Sequence, residues 1–421
     1  MRWSISGRIG ENGAEGTADV WKISILRLWG EWNRSRFAGW TGRRKCPMFR
    51  IRQWIKMLLQ NVLLPVVYGW YRRKPVQPGR ILMADAHHDE MPFSMRRVWE
   101  ELKKRGYEPE LFIANFSHLS FGAMAAFLIR FMKAYAQAEC VFICDYFLPA
   151  SSCKKRKETK LIQLWHSCGL MKKIAFDAGD DIPKNYHGDM FSNYTYLTMS
   201  APVCVPVHAR ALHLDKSRIR ATGISRTDYY FDADWNTKCR ERFLEQYPQA
   251  HGKKIAVWAP TFRGNAAMPY LVGTEDVKRA ARELGDAWFV VIKAHPHIDA
   301  HGKVSNCDLP TEELFSLADL LITDYSSTMF DYLIYRKPLV LFAPDLAEYE
   351  KKRGFYLDYR KMPFPVVEDG TQLAETIRGA AQEWKKHEKE IEDFIYLYTG
   401  SCDGNATERI LELAGLERQI Q

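Results

Sequence analysis

Residues 320–342 read LLITDYSSTMFDYLIYRKPLVLF, and this stretch decides the fold class. Its first four residues are apolar or β-branched and predict a short strand. A turn with several hydroxyl groups follows, then a helix over residues 327–335 and a second strand over 338–342. A strand, a helix and a strand in so few residues predict a βαβ unit, and therefore a parallel sheet covered by helices.

The same alternation extends through most of the chain. Before it, strands are predicted at 80–84, 110–113, 140–144, 160–165 and 194–200, and helices at 92–105 and 121–136. The second half predicts strands at 254–258 and 288–293, and helices at 274–284, 311–318, 372–398 and 405–413. We therefore expect an α/β protein with two Rossmann-like domains, residues 79–246 and 247–421, that face each other across a central cleft.

Composition narrows the class of partner. The 421 residues are 47% hydrophobic and carry a net charge of +9, which suits an anionic substrate or an anionic membrane surface. Nucleic acid is not expected, because the second half has no arginine-rich tract interleaved with aromatic residues. The nine cysteines include no CxxC pair, so we expect reduced, buried thiols and no zinc site.

The N-terminal region differs from the rest. Residues 1–47 show no signal peptide, and we expect them to be disordered or to precede the true start at Met48. Residues 48–78 predict an amphipathic helix with basic residues and tryptophans at its ends, too short to cross a bilayer comfortably. Such a helix would lie in an anionic membrane interface at the cytoplasmic face. The alternative is a helix that packs into the core.

The first of four strand ends with reactive residues reads WHSCGLMKK, residues 165–173. His166 follows the strand directly and is suited to act as a general base for a hydroxyl group near neutral pH. A structural histidine is the alternative. The lysines that follow could bind a phosphate.

Two further strand ends carry basic residues. APTFRG, residues 259–264, places Thr261 and Arg263 where they could bind a phosphate, and a loop arginine paired to a surface carboxylate is the alternative. KAHP, residues 293–296, places Lys293 and His295 at a proline-restricted turn. A fixed histidine there could bond a diphosphate, although a simple turn is also consistent.

The fourth strand end is TDYSSTMFDY, residues 323–332. Ser326, Ser327 and Thr328 lead into the predicted helix, whose free N–H groups favour an anion. The same residues would also cap a helix that binds nothing. Asp331 would lie one turn further on, within reach of a polar ligand group.

One more cluster, DAHHDE at residues 85–90, has the composition of a metal site. Adjacent residues rarely converge on one ion without ligands from elsewhere. A role at the rim of an acceptor pocket or in capping a helix is therefore favoured, and no metal or cofactor is expected.

The four motifs, in this order and spacing, resemble the CDP-glycerol glycerophosphotransferase family of teichoic-acid primases and polymerases from Gram-positive bacteria. The resemblance covers residues 80–413 and implies a GT-B fold. It implies that a CDP-activated donor gives up glycerol phosphate, or a similar polyol phosphate, to a hydroxyl of a cell-wall polymer or its lipid-linked primer, releasing CMP. The HP and SS elements also resemble those of sialyltransferases that use CMP-activated donors.

The resemblance also implies roles for the residues at the strand ends. His166 would deprotonate the acceptor, and His295 would stabilise the donor phosphates and the departing CMP. Donor-binding side chains would be Thr261, Arg263, Lys293, Ser326, Ser327, Thr328 and Asp331, with Asp331 on the glycerol hydroxyls.

Two departures from the family pattern and two alternative functions remain. The sequence has Ser167-Cys168-Gly169 where many relatives have a Thr-Pro type sequence, and Ser225 where a Pro-Arg pair is common. Acceptor preference, the polyol and the choice between primase and polymerase are therefore open. A GT-B glycosyltransferase using a nucleotide sugar and a non-catalytic membrane scaffold are the competing interpretations.

Overall fold

The computed structural model describes residues 58–178, 182, 190–265, 268–294 and 306–417. The predictions for residues 1–57 and for His295 lie outside this part of the chain.

The strands form two parallel sheets and a hairpin. The first sheet contains β1 (Ile81–Asp85), β2 (Glu110–Ile113), β3 (Cys140–Ile143), β4 (Lys160–Gln163), β5 (Tyr196–Thr198) and β6 (Ile219–Arg220). The second contains β7 (Lys254–Ala259), β10 (Trp288–Ile292), β11 (Leu320–Thr323), β12 (Leu339–Phe342) and β13 (Val366–Val367). The antiparallel hairpin is β8 (Arg263–Asn265) with β9 (Met268–Tyr270). The prediction of an α/β fold with parallel sheets is confirmed.

Helices connect the strands and cover the sheets. In chain order they are α1 (Leu64–Tyr71), α2 (Phe93–Lys104), α3 (Phe121–Tyr135), α4 (Leu148–Ser151), α5 (Cys204–Leu212), α6 (Ala233–Gln246), α7 (Thr274–Leu284), α8 (Thr311–Leu317), α9 (Thr328–Leu333), α10 (Leu346–Lys352), α11 (Leu373–Lys386), α12 (Glu388–Thr399) and α13 (Ala406–Ala414). The single helix predicted over 372–398 is wrong, because the chain turns at His387 between α11 and α12. α11 packs on the second sheet, whereas Phe394 of α12 stacks on Phe330 of α9, so one straight helix could not serve both partners.

Strand order shows where each sheet reverses its direction of growth. The first sheet has the order β2-β1-β3-β4-β5-β6, and the second has β10-β7-β11-β12-β13. In the first sheet, β2 is added on one side of β1 and β3 on its other side. In the second sheet, β10 is added on one side of β7 and β11 on its other side. These reversals lie between β1 and β3 and between β7 and β11. In open parallel sheets, ligands bind beyond the carboxyl ends of the strands at such points.

The residues after α12 return to the first sheet. Asp228 accepts hydrogen bonds from the N–H groups of Ala406 (3.0 Å) and Thr407 (2.7 Å) at the start of α13. At its other end, Lys160 of β4 donates to the carbonyl of Ala414 at 2.7 Å. The buried Arg105 donates to the carbonyl of Leu416 at 2.7 Å. The last described helix thus completes the packing of the first sheet.

The segment before β1 forms a π-helical turn (Leu59–Leu63) that continues into α1. Tyr68 is buried against Tyr135 of α3, with ring centroids 5.2 Å apart. The opposite side exposes apolar side chains, namely Leu58, Val62, Leu63, Val66 and Trp70. Within the part of the chain that the structure describes, no helix is both long and apolar enough to cross a membrane.

Candidate active site

The loop after β4 presents His166 at the carboxyl ends of the strands of the first sheet. This side of a sheet, where its parallel strands end, is called the sheet edge below. Trp165 has a φ of 58°, in the left-handed region that costs energy for a bulky residue, and its N–H donates to Gln163 Oε1 at 3.1 Å. His166 is exposed and stacks on the Trp165 indole, with ring centroids 4.9 Å apart. The strained backbone therefore turns the imidazole away from the core and towards solvent.

The tautomer of His166 follows from its hydrogen bond. Its Nδ1 lies 3.3 Å from the carbonyl oxygen of Cys144, at the end of the adjacent β3. A carbonyl oxygen can only accept, so Nδ1 carries the hydrogen, and in the neutral ring Nε2 holds the lone pair. In this tautomer Nε2 is the basic ring nitrogen, the kind of atom that takes a proton from a hydroxyl in general base catalysis.

Arg226 connects this loop to the second sheet. Its Nη1 donates to the His166 carbonyl and, at 3.1 Å, to Ser94 Oγ. Its Nε and Nη2 each donate to one carboxylate oxygen of Asp331 on α9 at 2.9 Å, and Tyr230 donates to the same carboxylate at 3.1 Å. Burial alone would lower the pKa of Arg226, but the Asp331 carboxylate more than offsets this and holds the pKa above its usual range. Arg226 therefore keeps its positive charge although it is buried.

A second charged network lies between β7 and β11. Arg263 donates through Nε and Nη2 to Asp345 at 2.7 and 2.9 Å, and through Nη2 to Asp324 at 3.0 Å. Its guanidinium also lies 4.8 Å from the ring centroid of Tyr325 and 4.9 Å from that of Tyr349. Burial opposes the charge, but the two carboxylates raise the pKa of Arg263 above its usual range. The side chain is 9% exposed and already paired, so it ties the turn after β11 to α10.

The hydroxyl groups expected at the donor site lie beside this network. Thr328 Oγ1 donates to Ser326 Oγ at 2.9 Å, and the Thr328 N–H lies 3.3 Å from the same oxygen. Ser327 precedes α9, and within the described residues its side chain makes no capping hydrogen bond. All three residues are partly exposed. Capping is therefore done by Ser326, which leaves the hydroxyl of Ser327 available for a ligand.

Thr261 lies at the same edge of the second sheet. Its N–H donates to Asp324 Oδ1 at 2.8 Å, which holds the turn after β7 against the end of β11. Its Oγ1 is buried and has no hydrogen-bond partner among the residues that the structure describes. A buried hydroxyl without a partner is costly, so this atom is suited to a ligand group.

At the reversal point of the first sheet, Asp85 organises the turn that follows β1. One of its oxygens accepts hydrogen bonds from the N–H groups of His87 (2.7 Å) and His88 (2.9 Å) and from His88 Nδ1 (3.0 Å). The pKa of Asp85 lies well below its usual range, because the two histidines offset its burial. Asp85 in turn raises the pKa of His88. Asp85 therefore caps the turn after β1, whereas α2 begins only at Phe93 and has no side-chain cap. The expected role in capping a helix is thus not seen for Asp85.

Residues 67–414 match the family described as CDP-Glycerol:Poly(glycerophosphate) glycerophosphotransferase. The chain belongs to this family. The predicted membership is confirmed, as is the predicted class of activity: a polyol-phosphate transferase of the kind that acts in teichoic acid synthesis.

Individual relatives agree with this assignment. The teichoic acid ribitol-phosphate primase of Bacillus spizizenii is 31% identical over 80% of this chain and 91% of its own length. The poly(ribitol-phosphate) polymerase of the same species is 29% identical over 84% of this chain and 59% of its own. Among solved structures, the wall teichoic acid polymerase TagF is similar, with a TM-score of 0.67 and 22% identity over 87% of this chain and 97% of that one. At this identity the likeness shows the fold.

The structure places the predicted site residues differently. His166 lies at the edge of the first sheet, and Thr261, Ser326, Ser327 and Thr328 lie at the edge of the second. Arg263 and Asp331, predicted to bind donor groups, are instead buried in ion pairs with protein side chains. Lys293 follows β10 and donates to the carbonyl of Cys307 at 2.7 Å, and His295 lies outside the described residues.

The sequence did not single out the partners of these buried charges. Arg226 directly follows Ser225, at the departure from the family pattern, and the sequence assigns no role to Asp324 or Asp345. Arg226 and Asp331 are 105 residues apart, so no local pattern joins them. The available signal was position, because Asp324 directly follows a predicted strand.

Proposed function

We propose that this protein moves a polyol phosphate, glycerol phosphate or ribitol phosphate, from a CDP-activated donor to a hydroxyl of a teichoic-acid-type polymer or its lipid-linked primer. The observation that carries the proposal is the link through Arg226 between the two sheet edges. Arg226 bonds the backbone of the exposed His166 at the first edge and Asp331 of α9 at the second. Helix α9 begins within the run of hydroxyl residues Ser326, Ser327 and Thr328.

In this mechanism the acceptor hydroxyl gives its proton to His166 Nε2. The acceptor oxygen attacks the phosphorus that bears the polyol, a new P–O bond forms, and the P–O bond to CMP breaks. CMP leaves with that electron pair. Positioning and charge neutralisation dominate such reactions, so the protein needs a base and phosphate-binding groups at fixed separation.

Donor binding is assigned to the edge of the second sheet. Ser326, Ser327 and Thr328 supply hydroxyl groups, and Thr261 supplies a buried hydroxyl that lacks a partner among the described residues. Lys293 and His295 would add positive charge to the diphosphate and the departing CMP. Arg263 supports this edge through Asp324 and Asp345, so its role in donor binding is indirect.

The two sheets define the proposed arrangement of domains. Residues 79–246 would form the acceptor side and residues 247–421 the donor side of a GT-B-like cleft. The strand orders support this arrangement, because each sheet has a reversal point, where open parallel sheets bind ligands beyond the carboxyl ends of their strands.

Membrane attachment is a separate part of the proposal. The apolar side chains exposed on the π-helical turn and α1 lie beside Arg72, Arg73 and Lys74, which are also exposed, and the guanidinium of Arg73 lies 4.5 Å from the Trp70 ring centroid. An apolar face bordered by cations suits the interface of an anionic bilayer. We propose that this face holds the enzyme at the cytoplasmic surface of the membrane, near a lipid-linked acceptor.

A turnover assay tests the transferase proposal. The purified chain would be incubated with a lipid-linked primer analogue and with CDP-glycerol, CDP-ribitol or UDP-glucose, and the released nucleotide would be measured. We expect release of CMP from at least one CDP-polyol and no UDP from UDP-glucose. Turnover of UDP-glucose alone would favour a glycosyltransferase, and binding without turnover of any donor would favour a scaffold.

Vesicle sedimentation tests the membrane proposal independently. Val66→Ser together with Trp70→Ser should reduce binding to phosphatidylglycerol vesicles, and added salt should reduce the binding of the unaltered chain. Tyr396→Ser is the matched control, because Tyr396 is also strongly exposed but lies on α12, away from α1 in the sequence. Equal loss in the control, or unchanged binding after the double substitution, would contradict this surface.

A further inference from the structure

We propose that Arg226 is a positioning residue, which fixes the His166 imidazole relative to the hydroxyl groups of Ser326, Ser327 and Thr328. This inference rests on the proposed function, and it assigns a role to a residue that contacts neither the acceptor hydroxyl nor the donor in the mechanism above.

The contacts of Arg226 join both sides of the site. One nitrogen, Nη1, bonds the His166 carbonyl and Ser94 at the start of α2. The other two nitrogens bond separate oxygens of Asp331 at 2.9 Å each. Asp331 lies on α9, one turn after Thr328. A displacement of the guanidinium would therefore shift the histidine backbone relative to the helix.

The burial of the pair favours positioning over a contribution to stability alone. The side chains of Arg226 and Asp331 are 8% and 2% exposed. Taking two charges out of water costs about as much as their attraction returns, so a buried pair is weak evidence for stability. A planar guanidinium bonded through two nitrogens to one carboxylate does, however, fix both distance and orientation.

A second contact also joins the histidine loop to α9. Gly169 has a φ of 65°, and a Cβ added there would lie 2.5 Å from the ring of Phe330. The histidine loop is therefore joined to α9 at two points, through Arg226 at His166 and through Gly169. Trp165, with its left-handed backbone, directly precedes His166, and such backbone strain persists only where the surroundings hold it.

Arg226→Lys tests the role with little change in charge. A lysine ammonium is a single point and cannot bond both Asp331 oxygens and the His166 carbonyl with the geometry of the guanidinium. We expect kcat to fall by about 10- to 100-fold, because misplacing a reacting group by about 1 Å costs about that much. The Kd for CDP-glycerol, from calorimetry, should stay within about 3-fold, since no donor contact is assigned to Arg226.

Arg105→Lys is the matched control. Arg105 is also a buried arginine that joins distant elements, with its Nη1 bonded to the carbonyl of Leu416 and its Nε 3.3 Å from Glu101. It lies away from both sheet edges that hold the proposed site. Its substitution should lower the melting temperature without changing kcat. If both variants lower kcat equally, Arg226 acts only through the fold and the inference is overturned.

Ser94→Ala decides the case if Arg226→Lys does not fold. This variant removes one hydrogen bond to Nη1 and leaves the ion pair with Asp331 in place. The expected result is a fall in kcat, smaller than that expected for Arg226→Lys, with an unchanged Kd for CDP-glycerol. An unchanged kcat would overturn the inference.

A double-mutant cycle separates this inference from the proposed function. In a His166→Ala background, adding Arg226→Lys should leave the single-turnover rate unchanged, because the arginine acts through that histidine. A further loss of the same size as in the unaltered chain would overturn the positioning role. Normal turnover of His166→Ala alone would instead overturn the proposed function.

Discussion

The two sheet edges hold their charged groups in opposite ways. At the first edge, His166 is exposed, stacks on Trp165 and uses one ring nitrogen to bond the carbonyl of Cys144. At the second edge, Arg263 is 9% exposed, bonds two carboxylates and lies against two tyrosine rings. Both residues follow strands and both are basic, yet only the histidine is exposed to solvent. Pairing within the fold, more than residue type, decides which side chains a substrate can reach.

The largest expected effect is on the rate of transfer, and it concerns the first edge. His166→Ala should lower the rate of CMP release by about 100- to 10,000-fold, the usual contribution of a general base. The fold should be retained, because the side chain is exposed. His118→Ala is the control, since His118 is also exposed and is paired with Asp89 at 2.8 Å. A variant with near-normal turnover would remove His166 from the mechanism.

At the paired edge we expect a loss of stability. Arg263→Met leaves the carboxylates of Asp324 and Asp345 without their cation and should lower the free energy of unfolding by about 3–5 kcal/mol. Urea unfolding measures this, and Arg360→Met, which removes an exposed arginine paired with Glu368, should change it little. Unchanged stability with lost CDP-glycerol binding would show instead that Arg263 contacts the donor directly.

Low pH should lower the folding stability through His208, whose ring packs against Trp165. His208 is buried edge-on against Trp165, with ring centroids 5.5 Å apart, and burial lowers its pKa to about 4. The unfolded chain binds this proton near pH 6.5, so folding stability should fall as pH drops from about 6.5 to about 4, by about 3 kcal/mol in total. Unfolding measured across this range should show a smaller slope in His208→Gln. An equal slope in both proteins would place the acid sensitivity elsewhere.

The smallest expected effect sharpens the description of the second edge. Ser327→Ala should weaken CDP-glycerol binding by about 0.5–3 kcal/mol, the range for one hydrogen bond that can involve a charged group. Thr376→Ala on α11 is the control, because its hydroxyl bonds a helix carbonyl at the surface. Calorimetric titration with CDP-glycerol and with CMP measures both variants. Unchanged affinity for both ligands would assign the donor phosphates to other groups.

Local sequence pattern predicted the sheets well and the helices less well. Strands such as Leu320–Thr323 are short apolar runs that are buried throughout, and such runs are easily recognised in the sequence. Helix α6 was not predicted, because Cys239 and Phe243 are its only buried residues and the apolar period is weak. The break at His387 was also missed, since no glycine or proline marks it and the cause lies in what α11 and α12 pack against.

The candidate site was predictable in place and only partly in its interactions. The carboxyl ends of β4, β7 and β11 carry the predicted residues, because strand ends are visible in the sequence. The use of Arg263 and Asp331 could not be predicted, since each is paired with a residue that only the folded chain brings near: Asp345 lies 82 residues from Arg263, and Arg226 lies 105 from Asp331. Long-range pairing of charges therefore limits what sequence alone can say about this site.

The return of α13 to the first sheet has a consequence for the order of folding during synthesis. Asp228, Lys160 and Arg105 each bond a residue between 406 and 416. A ribosome adds roughly 5–20 residues per second, so about 10–40 s separate the emergence of β6 from that of α13. During this interval a nascent chain holds all six strands of its first sheet with one surface uncovered.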